Sequence, residues 1–176
     1  FTPLDAQGFL QRAQAASPGG NLLIGVDLVK PKAVLDAAYD DALGVTAAFN
    51  LNTLAHVNRL LGSDFDLRQW RHVAFFDEAA SRIEMHLEAR QAQTVRWPGG
   101  ERGFKAGERI RTEYSYKYEL EEFADLARSA GLVASRVWLD GLGLPGVIPG
   151  VKPPADLVGD PSYPTKPEDF KHLIRI

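Results

Sequence analysis

The sequence has 176 residues, of which 45% are hydrophobic and 24% are charged, so the chain can bury a sizeable core and does not have the composition of a disordered protein. Its net charge of −3, from 20 basic and 23 acidic side chains, argues against nucleic acid or an anionic membrane surface as the main partner. The absence of cysteine excludes disulfides and cysteine-bound metals, and we expect a cytoplasmic protein. No apolar run approaches the roughly 20 residues of a membrane-spanning helix.

Sequence signals for a helix occur at the start of the chain and again at Pro31. Thr2 can cap a helix and Pro3 suits its first position, while the Ser-Pro-Gly-Gly sequence at 17–20 ends it. Pro31 begins a second predicted helix, and Gly44 ends it. These signals place one helix on each side of a strongly apolar segment.

That apolar segment predicts a buried strand. Residues 22–29 (LLIGVDLV) are almost continuously hydrophobic, which indicates a strand covered on both faces in a parallel sheet. Asp27 lies inside the segment, and a buried carboxylate needs a partner such as Lys30 or backbone donors. We therefore favour a structural polar contact for Asp27 over a role in chemistry.

The middle of the chain changes from a helical period to a period of two. Residues 46–61 carry the strongest helical signal, and Gly62 ends it. The apolar face of this helix comprises Ala47, Leu51, Leu54, Ala55 and Leu61. Residues 82–90 alternate and predict a half-solvated antiparallel strand, residues 97–100 (WPGG) predict a turn, and residues 109–118 alternate again. The core-facing residues of the first of these strands are Ile83, Met85, Leu87 and Ala89.

The last third completes a mixed pattern of helices and strands. Residues 120–130 predict an amphipathic helix that Gly131 ends, and residues 132–139 predict a strand. Residues 141–176 contain five glycines and seven prolines and indicate an irregular tail, in which 170–176 could return as one edge strand.

The order of these elements predicts an α/β fold in two parts. Residues 1–30 and 119–140 would form one α/β sheet domain, and residues 31–118 would insert into it as an α+β lobe. The Pro/Gly-rich tail over 141–176 would follow both.

Short motifs that carry known chemistry are absent from the sequence. It has no phosphate loop, no HExxH or GxSxG motif and no glycine-rich dinucleotide fingerprint. The glycines in 141–146 lead into a proline instead of a helix, which favours a plain loop. The four histidines lack ligand spacing, so we expect exposed or capping side chains and no metal site. They are His56, His72, His86 and His172.

The most informative stretch is 112–118 (TEYSYKY). A period of two places Glu113, Ser115 and Lys117 on one face and three tyrosines on the other. A carboxylate and a hydroxyl two residues apart can contact the two nitrogens of an imidazole, or a cationic head group. A solvated polar face beside a tyrosine ladder has the same pattern, so both interpretations stay open.

Four stretches of the sequence resemble the histidine-specific S-adenosylmethionine-dependent methyltransferase family. They are LLIGVDLVK (22–30), AAYDDALGVTAAFN (37–50), RIEMHL (82–87) and TEYSYKY (112–118), in that order and spacing. The likeness runs from Phe1 to about Leu139. Bacterial members of this family methylate the α-amino group of L-histidine to give trimethylhistidine (hercynine) in ergothioneine biosynthesis.

The resemblance implies the fold and the co-substrate. Residues 1–30 and 119–140 would be the late part of a Rossmann-like methyltransferase sheet, and 31–118 the inserted α+β substrate-binding lobe. S-adenosyl-L-methionine would be the co-substrate, and its main binding motifs lie upstream of where Phe1 aligns. The chain would then be a C-terminal portion that is inactive alone, so no cofactor-binding residue is assigned.

The resemblance also implies the residues that bind histidine. Tyr39 would hold the substrate carboxylate, while Glu113 and Ser115 would bind the imidazole. Three further residues would line the amino-acid pocket, namely Thr46, Phe49 and Met85. No catalytic residue is assigned, because in-line attack by a neutral amine on a sulfonium methyl depends mainly on positioning.

Two other functions remain open at this stage. One is a methyltransferase for another α-amine, such as a tryptophan derivative. The other is a non-catalytic remnant that binds a small amino acid and lacks the adenosylmethionine site. Glu113 and Ser115 together favour imidazole, since an indole offers one donor and no acceptor. L-Histidine is thus the expected partner, and the oligomeric state stays open.

Overall fold

The computed structural model describes residues 1–139 and 173–175. The chain divides into two compact units, one comprising Phe1–Val29 and Lys117–Ile176 and the other comprising Lys30–Tyr116. The tail predicted over 141–176 lies outside the described residues except for 173–175. Within these described ranges, no helix combines the length and the apolar character that crossing a bilayer requires.

Both units mix helices with β-strands. The helices are α1 (Pro3–Ala16), α2 (Lys32–Tyr39), α3 (Val45–Leu61) and α4 (Leu120–Ser129), with a 3₁₀ turn over Leu67–Gln69. The strands are β1 (Leu23–Gly25), β2 (Trp70–Asp77), β3 (Arg82–Ala89), β4 (Gln93–Trp97), β5 (Gly100–Phe104), β6 (Arg109–Tyr116), β7 (Arg136–Trp138) and β8 (Leu173–Arg175). The fold class is therefore mixed α/β with antiparallel sheets.

In the first unit, three short strands pair in the order β1-β8-β7, and both pairings are antiparallel. The prediction of a parallel sheet around 22–29 is therefore wrong for the strand pairs described. A parallel bridge nevertheless joins Leu28 to Tyr118. The strand predicted within 170–176 is present, but it lies between two others and not at an edge. Leu23 is 59% exposed, because only one face of β1 packs on helices among the described residues.

The helices α1 and α4 cover that packed face. Their buried residues form one core with the segment after β1, consisting of Leu10, Val26, Leu28, Phe123, Ala127 and Ala130. The predicted start of α1 is confirmed, since the Thr2 hydroxyl accepts from Asp5 N at 3.1 Å and the Asp5 carboxylate accepts from Thr2 N at 2.9 Å. Phe1 stacks on Phe9 with ring centroids 5.9 Å apart, which adds an apolar contact at this helix end.

Asp27 forms an ion pair with Lys117, a partner that the sequence did not suggest. The Lys117 side chain is completely buried and its Nζ lies 3.1 Å from Asp27 Oδ2, whereas the Asp27 side chain is 37% exposed. Lys117 lies in the first unit and beyond the end of β6, so its sharing of a face with Glu113 and Ser115 stays a prediction. The polar pattern of 112–118 continues past the end of β6, where the chain leaves the second unit.

The unequal burial of this pair predicts unequal mutant effects. Asp27→Ala should destabilise the protein by about 3 kcal/mol, because it leaves a buried ammonium without its carboxylate. Lys117→Met should cost about 1 kcal/mol, since the remaining carboxylate reaches water and the apolar chain fills the space. Urea denaturation measures both, with the exposed Asp125→Ala as the control. A larger loss in Lys117→Met than in Asp27→Ala would contradict this account.

The second unit is built on a three-stranded antiparallel sheet in the order β2-β3-β6, with β4 and β5 forming a separate hairpin. The predicted turn at 97–100 closes that hairpin, with Gly99 at a φ of 98°. The core beside the sheet contains Leu54, Trp70, Leu87, Ala89, Val95 and Phe104. Within it, Phe65 and Phe104 contact Trp70 at centroid distances of 5.6 and 5.1 Å.

β3 is the central strand, and both of its faces are covered. The predicted core face is confirmed, but the expectation of a solvated opposite face is wrong. Glu88 is buried between Arg71 and Arg109, whose Nε atoms donate to its two oxygens at 2.8 Å each. Long side chains from the flanking strands thus shield the polar positions of the middle strand. His86 is also buried there, and its desolvation lowers the pKa of the imidazole.

The two helices of this unit differ in detail from their predictions. α2 ends at Tyr39, and Gly44 instead lies at the N-terminus of α3 in the left-handed conformation. Leu61, predicted in the apolar face of α3, is exposed, whereas the polar Asn50 is buried. α2 covers the free edge of β2, because Asp36 accepts from the backbone N–H of Phe76 at 2.7 Å.

Candidate functional site

A β-bulge in β6 decides which side chains share a face in the second unit. Met85 pairs with Glu113 and His86 pairs with Arg111, so Thr112 is the extra residue between them. The Thr112 hydroxyl donates to the Met85 carbonyl oxygen at 3.1 Å, which holds the bulge against β3. Residues directly opposite in an antiparallel pair project to the same face. The bulge therefore turns Glu113 to the face that carries Met85.

Ser115 lies on this same face and makes a hydrogen bond with Tyr39. Ser115 pairs with Ile83 in the β3–β6 ladder, two positions beyond the pair of Met85 and Glu113. The Tyr39 hydroxyl lies 2.8 Å from Ser115 Oγ, and either oxygen can be the donor. Since Tyr39 is the last residue of α2, the end of this helix lies against the sheet face. Four of the six predicted site residues are thus close together.

Glu113 presents an accessible carboxylate at this site. Its side chain is exposed, and no hydrogen bond or ion pair to it occurs within the described part of the chain. A carboxylate without a protein partner is available to accept from the N–H of a ligand. Together with the two hydroxyls, it gives one anionic acceptor and two groups that donate or accept.

Thr46 and Phe49 lie on the first turns of α3. Phe49 is 70% exposed, and neither residue has a hydrogen bond or ring contact with the other four site residues in the ranges that the structure describes. Both backbone N–H groups at the start of this helix donate to Asp41, from Val45 to Oδ2 at 3.0 Å and from Thr46 to Oδ1 at 2.8 Å. Asp41 therefore fixes the position of the helix that carries them.

On the opposite face of β6, arginine side chains contact the tyrosines, and the rings of Tyr114 and Tyr116 lie 6.3 Å apart. The Arg82 guanidinium lies 3.6 Å from the centroid of the Tyr114 ring, and Arg111 lies 4.1 Å from it. Arg82 also donates to the Tyr116 hydroxyl at 3.1 Å, and its hydrogen bonds raise the pKa of its guanidinium above the ordinary value. These contacts fix the orientation of β6 in which Glu113 and Ser115 project to the other face.

Sequence reasoning missed three residues that support the site, namely Asp41, Asn50 and His72. Asp41 lies three residues before the N-cap Gly44, so the usual capping pattern did not mark it. Asn50 and His72 had no local signal either. Their side chains are 22 positions apart in the chain and contact each other between α3 and β2, which local patterns do not reveal.

The capping role of Asp41 predicts a specific loss of stability in acid. Hydrogen bonds from the N–H groups of Thr46 and Val45 lower the pKa of Asp41 from 3.8 to about 2. Because the folded pKa lies below the unfolded one, this contribution is complete above about pH 4 and is lost as the pH falls through about 2. Asp41→Asn should abolish this part of the pH dependence in thermal unfolding curves. Asp40 is exposed and adjacent to Asp41, so Asp40→Asn is the control. If Asp40→Asn changed the pH dependence of stability as Asp41→Asn does, the assignment to Asp41 would be refuted.

The described residues do not supply a cradle for adenosylmethionine. Such a cradle needs backbone N–H groups in a glycine-rich turn between a strand and a helix N-terminus. After β1 the chain instead continues through Val26 and Leu28, both buried, and reaches α2 through Pro31, which has no N–H. We therefore assign no residue of the described part of the chain to this group.

The fold and the site together define a class of protein. A mixed α/β lobe with one accessible carboxylate and two hydroxyls on a sheet face is suited to bind a small polar molecule with ring nitrogens. The chain belongs to the histidine-specific, SAM-dependent methyltransferase family, whose model matches residues 1–147.

Individual relatives agree with this family membership. The chain is 47% identical over 146 residues to a "Histidine N-alpha-methyltransferase" of Mycolicibacterium smegmatis, which covers 81% of this chain and 46% of the relative. It is 44% identical over 140 residues to the protein of the same name from Mycobacterium tuberculosis, covering 78% and 44%. It is 32% identical over 145 residues to "Ergothioneine biosynthesis protein 1" of Neurospora crassa, covering 80% and 16%. The chain thus spans less than half the length of these relatives.

Proposed function

We propose that the complete gene product transfers methyl groups from S-adenosylmethionine to the α-amino nitrogen of L-histidine and forms trimethylhistidine (hercynine). The family membership and the names of the relatives support this reaction. In the same proposal, residues 1–30 and 119–140 belong to a Rossmann-like methyltransferase domain, and 31–118 form the lobe that binds histidine. Adenosylmethionine supplies an electrophilic methyl group on its sulfonium when bound.

The observation that carries the proposal is the common face of Glu113 and Ser115. A neutral imidazole has one N–H donor and one acceptor nitrogen. In our proposal the Glu113 carboxylate accepts from the N–H, and the Ser115 hydroxyl donates to the other nitrogen. Both protein groups lie on the face that also carries Met85, which would provide an apolar contact for the ring.

The remaining pocket residues receive the amino-acid part of the substrate. The Tyr39 hydroxyl would donate a hydrogen bond to the substrate carboxylate. Thr46 and Phe49 on α3 would line the entrance of the pocket. The Tyr39 hydroxyl hydrogen-bonds to Ser115 without a ligand. Histidine would therefore exchange this internal bond for one contact with each hydroxyl, which keeps both groups satisfied.

The role of these residues is binding and orientation, not proton transfer. The α-amine must be neutral to present a lone pair, and it can lose its proton to water before binding. Holding the ring and the carboxylate at two points fixes the direction in which that lone pair faces. Such orientation is a large source of rate enhancement in reactions between two bound molecules.

Ring-methylated histidines test this assignment directly. In the complete protein, each of the two isomers with a methyl on one imidazole nitrogen should bind at least about tenfold more weakly than histidine, because a neutral methylated ring has no N–H left to donate to Glu113. Isothermal titration calorimetry provides the affinities. In Ser115→Ala both penalties should remain, since neither isomer can donate to the Glu113 carboxylate. Equal affinity for histidine and both isomers would rule out the imidazole site.

A further inference from the structure

Tyr39 is held at both ends by side chains of the second unit. Its hydroxyl contacts Ser115 on the sheet, as described above. Its backbone carbonyl oxygen lies 2.8 Å from Nε2 of His72, on β2. Because a carbonyl oxygen can only accept, His72 Nε2 carries the proton and donates it. The imidazole is therefore the tautomer whose Nδ1 is free to accept.

The buried side chain of Asn50 holds His72 in this tautomer. Asn50 Nδ2 lies 2.9 Å from His72 Nδ1 and 3.1 Å from the backbone carbonyl oxygen of His86. A flipped amide would place Oδ1 against that carbonyl oxygen, so the orientation is fixed, and its two N–H groups serve the two acceptors. Asn50 is only 2% exposed, so water cannot replace a lost partner.

Tyr39 is the last residue of α2, so this network stabilises the end of the helix. The last four carbonyls of a helix have no partner within the helix, and the eight residues of α2 are too few for a stable helix alone. The amide of Asp40 closes the final turn by donating to the Asp36 carbonyl oxygen at 2.8 Å. His72 satisfies the carbonyl of Tyr39, so that turn has a partner outside the helix.

We propose that His72, oriented by Asn50, is a positioning residue that sets where the Tyr39 hydroxyl lies in the histidine-binding site. This inference rests on the proposed function, in which Tyr39 binds the substrate carboxylate. Neither His72 nor Asn50 contacts the substrate; both act through the backbone of Tyr39. If the final turn of α2 unwinds, the backbone of Tyr39 is no longer held in place, and its hydroxyl leaves the position beside Ser115.

Two substitutions of His72 separate its two hydrogen bonds. The amide of a glutamine reaches the place of Nε2, so His72→Gln keeps the donor to Tyr39 and loses the acceptor for Asn50. The shorter asparagine reaches the place of Nδ1, so His72→Asn keeps the acceptor and loses the donor. Both variants remove the same ring. His56→Asn is the matched control, because His56 is exposed on α3 and contacts Arg59 at 2.7 Å.

The first measurement is hydrogen exchange of the Asp40 amide in the complete protein without substrate. His72→Asn should increase its exchange rate about five- to tenfold, the effect of one hydrogen bond, while His72→Gln and the control should stay within about twofold of the wild type. Equal exchange rates in the Gln and Asn variants would overturn the inference, whether or not the protein acts on histidine.

The second measurement is the affinity for histidine in the same variants. His72→Asn should weaken histidine binding about five- to tenfold and leave adenosylmethionine binding unchanged, whereas His72→Gln should bind histidine nearly as the wild type does. In a Tyr39→Phe background the effect of His72→Asn should largely vanish, because both changes remove the same contact. An additive loss would overturn the inference, while a wild type that does not bind histidine would refute the proposed function.

Discussion

Glu113→Ala in the complete protein is expected to weaken histidine binding by about 10- to 100-fold while leaving adenosylmethionine binding unchanged. The carboxylate is exposed and has no partner within the described residues, so its removal costs the fold little. A hydrogen bond to a charged group contributes about 1.5–3 kcal/mol, which corresponds to this range of affinity. Titration calorimetry with each ligand separately gives the two affinities.

Two further variants make the Glu113 experiment specific. Glu113→Gln should lie between the wild type and the alanine variant, because its amide oxygen still accepts but carries no charge. Glu101→Ala removes an exposed carboxylate on β5 that pairs with Arg96 at 3.2 Å, and histidine affinity should not change. If Glu113→Ala lowered both affinities equally, the residue would support the fold and would not contact the imidazole.

Trp70→Ala is expected to give the largest loss of stability, about 4 kcal/mol. Trp70 is 1% exposed, and its ring contacts those of Phe65 and Phe104 in the core of the second unit. Truncating a buried indole removes its burial and leaves a cavity that the surrounding rings cannot fill. The midpoint of chemical denaturation, followed by circular dichroism, measures the change.

Trp70→Phe distinguishes the packing of the ring from the chemistry of the indole. The indole Nε1 is buried and has no hydrogen-bond partner within the described part of the chain. A phenylalanine keeps an aromatic ring and removes this unsatisfied donor, so the two effects oppose each other and the net cost should be below about 1.5 kcal/mol. Equal losses in the alanine and phenylalanine variants would show that the aromatic cluster does not depend on ring packing.

Elements with local signals were predictable from the sequence. The cap formed by Thr2 and the helical period of 46–61 involve residues within one or two turns of each other, and both helices formed as predicted. Strand pairing was not predictable, because it joins distant segments. The same apolar run that indicated a parallel strand pairs instead with residues 173–175, about 150 positions later.

The site was predictable only in its central feature. The spacing of Glu113 and Ser115 placed both on one face, and the structure agrees. The same alternation was extended to Lys117, which lies beyond the end of β6 at Tyr116. Nothing in the sequence marked the bulge at Thr112, since an extra residue in a strand becomes visible only against its partner. The network of Asn50 and His72 was invisible for the same reason.

The most direct test of the account is mass spectrometry of the products formed by the complete gene product. The protein receives adenosylmethionine together with histidine and tryptophan in equal amounts. We predict mono-, di- and trimethylhistidine in succession, with tryptophan unmodified. If only tryptophan were methylated, the methyl transfer would stand, but the imidazole site of Glu113 and Ser115 would be refuted. A folded protein that methylates neither amino acid would contradict the proposed function.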